Sequence, residues 1–213
     1  MHLEKYIDHT LLKATASLSE IDELCQQALE YNFYAVCVNG CHIKRCKKIL
    51  NNSEVKIAAV IGFPLGAMST KVKVYEAKEY SKQGADEIDM VINIGWLKSG
   101  KIDKITSEIK KIKKAIGNKI LKVIIETCYL TEEEKKIACQ AAVAANADFV
   151  KTSTGFGPEG ASIADVVLMK LAVDGKAQIK ASGGIRDAIA AKEYINLGVS
   201  RIGTSSGIKI VTS

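Results

Sequence analysis

The segment GADEIDMVIN, residues 84–93, contains the pattern that decides the fold. A glycine, an alanine and an aspartate lead straight into a short apolar run, as happens where a helix ends in the left-handed conformation and a strand begins. The same unit recurs as NADFVKTSTG (146–155) and GVSRIGTSS (198–206). This recurrence predicts a chain built from repeated helix–strand units.

Short apolar, β-branched runs alternate with amphipathic stretches along the chain, and eight of these runs are predicted strands. They are residues 5–9, 33–39, 56–64, 87–93, 120–127, 149–155, 178–184 and 201–206. Capping boxes at Ser17–Glu20 and Thr131–Glu134 mark helix starts between them. Apolar strands that alternate with helices indicate a parallel sheet covered on both faces.

Eight such units favour an α/β fold of one domain over residues 1–213, a closed (β/α)₈ TIM barrel. The short segment after Ser206 has room for only a stub of the eighth helix. An open, doubly wound sheet is the alternative.

Composition excludes several functional classes. No stretch approaches the roughly 18 apolar residues of a membrane span, and the start MHLEKYIDHT lacks the features of a signal peptide, so a cytoplasmic location is expected. The formal net charge is +6, but the lysines of segment 110–114 lie between isoleucines spaced as one buried helical stripe. Because no aromatic residues interleave with these lysines, nucleic-acid binding is not expected.

The six cysteines are predicted to be free thiols, as is usual in an unsecreted chain. Cys37, Cys41, His42 and Cys46 lie close together in the sequence. Their spacing matches no common zinc motif, so no metal is expected, although a metal site or some other role for this cluster stays open.

Two lysines directly follow apolar residues in predicted strands, as Val150-Lys151 and Ile179-Lys180. In a parallel barrel the active site lies at the carboxyl ends of the strands. Desolvation and a neighbouring ammonium both lower the pKa of an amine from about 10.4 toward neutrality, which makes it nucleophilic. The pair therefore predicts one lysine that attacks a carbonyl and one that keeps it unprotonated. The alternative is a structural ion network with Asp89 or Glu126.

Two glycine-rich turns follow the seventh and eighth predicted strands, SGGIR (182–186) and GTSSG (203–207). Loops at these two positions commonly bind phosphate in this architecture, through backbone amides and a helix N-terminus. An ordinary tight loop is the alternative for each turn taken alone.

Eight motifs, in order along nearly the whole chain, resemble those of the deoxyribose-phosphate aldolase family of class I aldolases. They are DHTLL (8–12), VCVN (36–39), GFPLG (62–66), EIDMVIN (87–93), KVIIET (122–127), VKTSTGF (150–156), IKASGGIR (179–186) and RIGTSS (201–206). The resemblance implies reversible cleavage of 2-deoxy-D-ribose 5-phosphate to D-glyceraldehyde 3-phosphate and acetaldehyde, in deoxyribonucleoside catabolism. It implies a lysine Schiff base and no cofactor or metal.

The resemblance also implies roles for individual residues. Lys151 is expected to form the Schiff base, Lys180 to hold it unprotonated and Asp89 to relay protons. The residues expected to bind or surround the substrate are Asp8, Thr10, Cys37, Gly155, Gly183, Gly184, Arg186, Gly203, Ser205 and Ser206.

Some positions depart from the family pattern. Gly40 stands where the family commonly has proline, Pro158 and Glu159 replace small residues, and the segment after Ser206 has no tyrosine. Another phosphate-binding barrel lyase or isomerase is the alternative function, which the lysine pair argues against. The choice between a homodimer and a homotetramer stays open.

Overall fold

The computed structural model describes residues 1–213 as a closed barrel of eight parallel strands in sequence order. The strands are β1 (Ile7–Leu11), β2 (Ala35–Asn39), β3 (Lys56–Ile61), β4 (Glu87–Val91), β5 (Ile120–Ile124), β6 (Phe149–Lys151), β7 (Gln178–Ser182) and β8 (Arg201–Thr204). Each strand pairs with the next, and β8 pairs with β1 through Asp8 opposite Gly203. The predicted (β/α)₈ TIM barrel is confirmed.

Nine helices surround the barrel or close its ends. They are α1 (Leu18–Glu30), α2 (Ile43–Ile49), α3 (Thr70–Gln83), α4 (Ile94–Lys98), α5 (Ile102–Ile116), α6 (Glu132–Ala144), α7 (Ile163–Val173), α8 (Ala188–Asn196) and α9 (Gly207–Thr212). Three 3₁₀ turns cover Leu3–Tyr6, Gly40–His42 and Thr127–Tyr129. No helix combines the length and apolar character that crossing a membrane requires.

The local signals read from the sequence form as predicted. Both capping boxes are present, at the starts of α1 and α6. Gly84, Asn146 and Gly198 have left-handed φ values of 114°, 59° and 92°, and each precedes a strand by a few residues. These turns aim each strand back into the barrel as the preceding helix ends.

The strands end earlier than the sequence suggested. β3 to β8 each end two to four residues before their predicted limits, and β6 ends at Lys151 rather than at residue 155. Left-handed glycines such as Gly62, Gly155 and Gly183 turn the backbone out of the sheet at these points. The polar residues that follow the strands therefore lie in loops above the barrel.

A buried ion pair outside the barrel was not predicted. Lys73 of α3 and Glu108 of α5 have no exposed side-chain surface, and the Lys73 Nζ lies 2.6 Å from Glu108 Oε1 and 2.8 Å from the Val91 carbonyl oxygen. Glu108 Oε2 also accepts from the Thr70 hydroxyl, at 2.8 Å. The pair joins two neighbouring helices to the end of β4.

Replacing Lys73 with methionine is expected to lower the free energy of unfolding by about 3–5 kcal/mol, because Glu108 would be left buried without a cation. Urea unfolding followed by circular dichroism measures this loss. The double variant Lys73→Met, Glu108→Leu should recover much of the stability, since it buries no unpaired charge. A double variant as unstable as the single one would contradict this explanation.

Candidate active site

A cavity of about 400 Å³ opens at the carboxyl ends of β1, β6, β7 and β8. Its walls are the loops that follow these strands. The lining residues are Thr10, Leu11, Leu12, Lys13, Lys151, Thr154, Gly155, Phe156, Ser182, Gly183, Gly184, Ile185, Arg186, Gly203, Thr204, Ser205 and Ser206. Nine of the sequence-predicted site residues are among them: Thr10, Lys151, Gly155, Gly183, Gly184, Arg186, Gly203, Ser205 and Ser206.

Lys151 and Lys180 meet on one carboxylate oxygen beneath this cavity. The Lys151 Nζ lies 2.9 Å from Asp89 Oδ2, and the Lys180 Nζ lies 2.8 Å from the same oxygen. Asp89 and Lys180 are fully buried, while Lys151 reaches the cavity wall. The structure therefore brings together the three predicted catalytic residues, with only Lys151 open to a substrate.

A second layer of charged side chains lies below the lysine pair, and sequence reasoning missed it. Lys122 Nζ lies 2.7 Å from Asp89 Oδ1 and 2.5 Å from Glu87 Oε2. Arg201 donates to Glu87 at 2.6 Å and to Asp8 Oδ1 at 2.7 Å. Glu87 and Asp89 are two residues apart in β4, so their side chains share one face of the strand. This period-two charge pattern is the signal that would have revealed the layer.

Asp8 and Cys37 lie beneath the cavity rather than on its wall. Asp8 is fully buried and accepts from both Lys180 and Arg201. Cys37 is also fully buried, and burial raises the pKa of its thiol. The expectation that these two residues support the substrate-binding region stays a prediction, and neither lines the cavity that a substrate would enter.

The acidic groups of the cluster stay ionised. Burial alone would raise the pKa of Asp89, but the positive charges around it, that of Lys122 foremost, outweigh burial and hold the pKa well below its usual value. Burial likewise opposes the lowered pKa of Asp8, which Arg201 and Lys180 bring about. Asp8 and Asp89 are therefore acceptors that hold cations in place.

Lys180 stays protonated in this arrangement. Burial alone would lower its pKa, but the carboxylates of Asp8 and Asp89 raise it above its usual value. Gly203 gives this side chain its room, since a Cβ at Gly203 would lie 3.1 Å from Lys180 Cε and 3.0 Å from Ser182 Cβ. Lys180 thus supplies a fixed ammonium beside Lys151.

The charges of the cluster balance only when one cation is neutral. Its three carboxylates are Asp8, Glu87 and Asp89, and its four basic side chains are Lys122, Lys151, Lys180 and Arg201. A buried charge without a partner is costly. Lys151 alone among the four lines the cavity, so it is the amine that a substrate can reach.

The opposite end of the cavity is built from backbone and hydroxyl groups. Gly183 and Gly184 have φ values of 86° and 82°, which glycine adopts without strain. The loop then caps α8 through Asp187, whose carboxylate accepts from the Ala190 amide at 2.9 Å. Free amides at such turns and helix starts bind anions. This end suits a phosphate group.

Glu126 orders the loop after β6 and does not pair with a lysine. Its carboxylate accepts from the Thr154 amide at 3.1 Å and from the Thr154 hydroxyl. The backbone of Glu126 has a left-handed φ of 54°. Of the two carboxylates considered for an ion network, Asp89 is the one that contacts the lysines.

The cysteine cluster of the sequence is dispersed in the fold. Cys37 is buried in the barrel, Cys41 is exposed, and Cys46 is buried on α2. No group of three or more His, Cys, Asp or Glu side chains is arranged to hold a metal ion.

Gly40 packs under Tyr80, since a Cβ at Gly40 would lie 1.9 Å from the Tyr80 ring.

Known proteins are similar to this chain in sequence and in fold. Residues 3–212 match the model of the DeoC/LacD family of aldolases. The chain is 56% identical to a deoxyribose-phosphate aldolase of Finegoldia magna, covering 99% of both chains. The solved structure of the aldolase QR15 superimposes with a TM-score of 0.94 at 47% identity, covering 98% of this chain and 93% of that one. The deoxyribose phosphate aldolase of Aeropyrum pernix, described as a unique tetramer, has a TM-score of 0.89 at 29% identity, with coverage of 98% and 89%.

Proposed function

The chain belongs to the DeoC/LacD family of aldolases, and we propose that it cleaves 2-deoxy-D-ribose 5-phosphate to D-glyceraldehyde 3-phosphate and acetaldehyde, reversibly. One observation carries the proposal. Lys151 and Lys180 share Asp89 Oδ2 at the base of a cavity whose far end is built from the loops after β7 and β8. A sugar phosphate fits this arrangement with its aldehyde carbon at Lys151 and its phosphate at those loops.

The reaction begins with the neutral amine of Lys151. It adds to the C1 aldehyde of the open-chain sugar, and loss of water leaves an iminium that accepts electrons. Removal of the proton from the C3 hydroxyl then breaks the C2–C3 bond, releases the phosphorylated aldehyde and leaves an enamine. Protonation of the enamine at C2 and hydrolysis of the resulting iminium free acetaldehyde and restore Lys151.

The proton transfers use the groups around Asp89. Its Oδ2 is 2.9 Å from the Lys151 Nζ and 2.8 Å from the Lys180 Nζ, so a proton moves between them over one hydrogen bond at a time. Lys122 holds the other oxygen of Asp89 at 2.7 Å and so fixes the carboxylate plane. Lys180 and Asp89 thus serve as the proton relay, and the reaction needs no cofactor.

The phosphate is held by backbone amides and hydroxyl groups rather than by a deep cationic pocket. Gly155, Gly183 and Gly184 supply bare backbone, and Ser205 and Ser206 supply hydroxyl groups beside the start of α9. Arg186 is exposed at the rim, where it can assist. Thr10 faces the same cavity from β1.

Trapping with acetaldehyde and sodium borohydride tests the mechanism. Reduction of the iminium is expected to leave an ethyl group on Lys151, which peptide mass spectrometry locates. The peptide that contains Lys135 serves as the control, because the ammonium of Lys135 is paired with Asp165 outside the barrel. Active enzyme with an unmodified Lys151 would contradict the Schiff base, and a protein that releases no acetaldehyde from the sugar phosphate would contradict the function.

We also propose that the protein works in the cytoplasm as a homodimer or homotetramer. All six cysteines are free thiols, as expected in a reducing compartment. Leu171 of α7 and Ile189 of α8 are 77% and 82% exposed, which suits burial against another copy. Sedimentation equilibrium measures the assembly, and a monomer at micromolar concentration would contradict it.

A further inference from the structure

Lys13 places a cation at the phosphate end of the cavity. It lies in the loop after β1 and lines the same cavity as Ser205 and Ser206. β1 pairs with β8, with His9 opposite Thr204, so the loops that follow these two strands are neighbours. Lys13 therefore borders the end of the cavity that lies away from Asp89 on β4.

The cavity has three basic side chains, which occupy different parts of its wall. Lys151 contacts Asp89 and is the reacting amine. Arg186 follows β7, and Lys13 follows β1. Because β8 lies between β7 and β1, the loop that carries Ser205 and Ser206 lies between the loops that carry Arg186 and Lys13. A phosphate at these serines would have a cation on each side.

In the structure Lys13 is paired with Glu20 of α1. Glu20 is held in place by the capping box of α1, where its Oε2 accepts from the Ser17 amide at 2.9 Å. Hydrogen bonds from Lys13 and Ser17 lower the pKa of Glu20 to about 2. The Lys13 side chain is 50% exposed on a flexible stem, so the ammonium is the partner that is free to move.

We propose that Lys13 exchanges Glu20 for the phosphate of the substrate and thereby helps to select phosphorylated over unphosphorylated sugars. This inference rests on the proposed function and deepens it. Glu20 then competes with the substrate phosphate for one ammonium. Removing Lys13 should weaken phosphate binding, and removing the charge of Glu20 should strengthen it.

The variant Lys13→Met is expected to raise the KM for 2-deoxy-D-ribose 5-phosphate about tenfold, equivalent to about 1.4 kcal/mol, and to leave kcat within about twofold. Its kcat/KM for unphosphorylated 2-deoxy-D-ribose should match that of the unmodified enzyme. Glu20→Gln should lower the KM for the phosphorylated sugar, because it removes the charge that competes for Lys13. Glutamine still completes a capping box, so the start of α1 is kept.

Lys98 and Glu134 provide a matched control. Lys98 Nζ lies 2.6 Å from Glu134 Oε2, Glu134 completes the capping box of α6, and Lys98 does not line the cavity. Lys98→Met should leave the kinetics with both sugars unchanged. Equal losses with the two sugars in Lys13→Met, no loss with either, or the same loss in Lys98→Met would each overturn the proposal.

Binding of inorganic phosphate separates this inference from the proposed function. Isothermal titration calorimetry should show weaker phosphate binding in Lys13→Met and tighter binding in Glu20→Gln, and neither measurement requires turnover. Unchanged phosphate affinity in both variants would overturn the role of Lys13. A failed cleavage assay with altered phosphate affinity would instead count against the sugar phosphate as the substrate.

Discussion

Lys151→Met is expected to lower kcat for cleavage of the sugar phosphate by at least about 10⁴-fold, because the covalent route is lost with its nucleophile. Phosphate affinity should change little, since the loops proposed to bind phosphate lie at the other end of the cavity. Release of acetaldehyde in a coupled assay measures the first effect, and calorimetry with inorganic phosphate measures the second.

Lys135→Met is the control for this variant. Lys135 pairs with Asp165 between α6 and α7, and it does not line the cavity. Its variant should retain activity within about threefold, because neither Lys135 nor its partner Asp165 lines the cavity. Turnover by Lys151→Met within about tenfold of the unmodified enzyme would refute the covalent mechanism.

Lys180→Met is expected to lower kcat at pH 7 by about 10²–10⁴-fold. The substitution leaves three carboxylates and three basic side chains in the cluster, so the charges balance with Lys151 protonated. A protonated amine is not a nucleophile. A neighbouring ammonium favours the neutral form of an amine, so its removal should move the pH at which activity appears upward.

A pH profile distinguishes this effect from a damaged fold. Activity and borohydride trapping in Lys180→Met should both recover as the pH is raised above neutrality, while the circular dichroism spectrum stays that of the unmodified protein. Near-normal activity at pH 7 would mean that desolvation alone activates Lys151. Loss of activity at every pH with a native spectrum would assign Lys180 a role other than charge.

Much of the fold and the centre of the site could be predicted because their signals are local. The turns at Gly84 and Asn146 and the apolar runs after them specify helix–strand units, and eight such units close a barrel. Lys151 and Lys180 follow apolar residues in neighbouring strands, and in the structure they lie directly opposite each other in register. Strand ends were less predictable, because left-handed glycines such as Gly62 and Gly183 turn the backbone out of the sheet before the predicted limit of the strand.

The supporting charges could not be predicted with the same ease, because their partners are distant in the sequence. Lys122 and Arg201 both contact Glu87, which lies 35 and 114 residues away, respectively, along the chain. Lys73 of α3 is likewise buried against Glu108 of α5, 35 residues away along the chain. In each case burial decides whether a lysine is a solvated charge or one half of an ion pair.

The amino-acid sequence by itself determined the barrel, the positions of the two lysines in their strands and the two glycine-rich turns that are predicted to bind phosphate. Each of these depends on periodicity or on residues within one short segment. Only the tertiary structure decided which charges meet. It places Lys151 and Lys180 on one oxygen of Asp89 and buries Asp8 and Cys37 beneath the cavity. It also places Lys13 on the cavity wall together with Ser205 and Ser206. The reason is physical: electrostatic interactions depend on distance and burial, which strand register and barrel closure set.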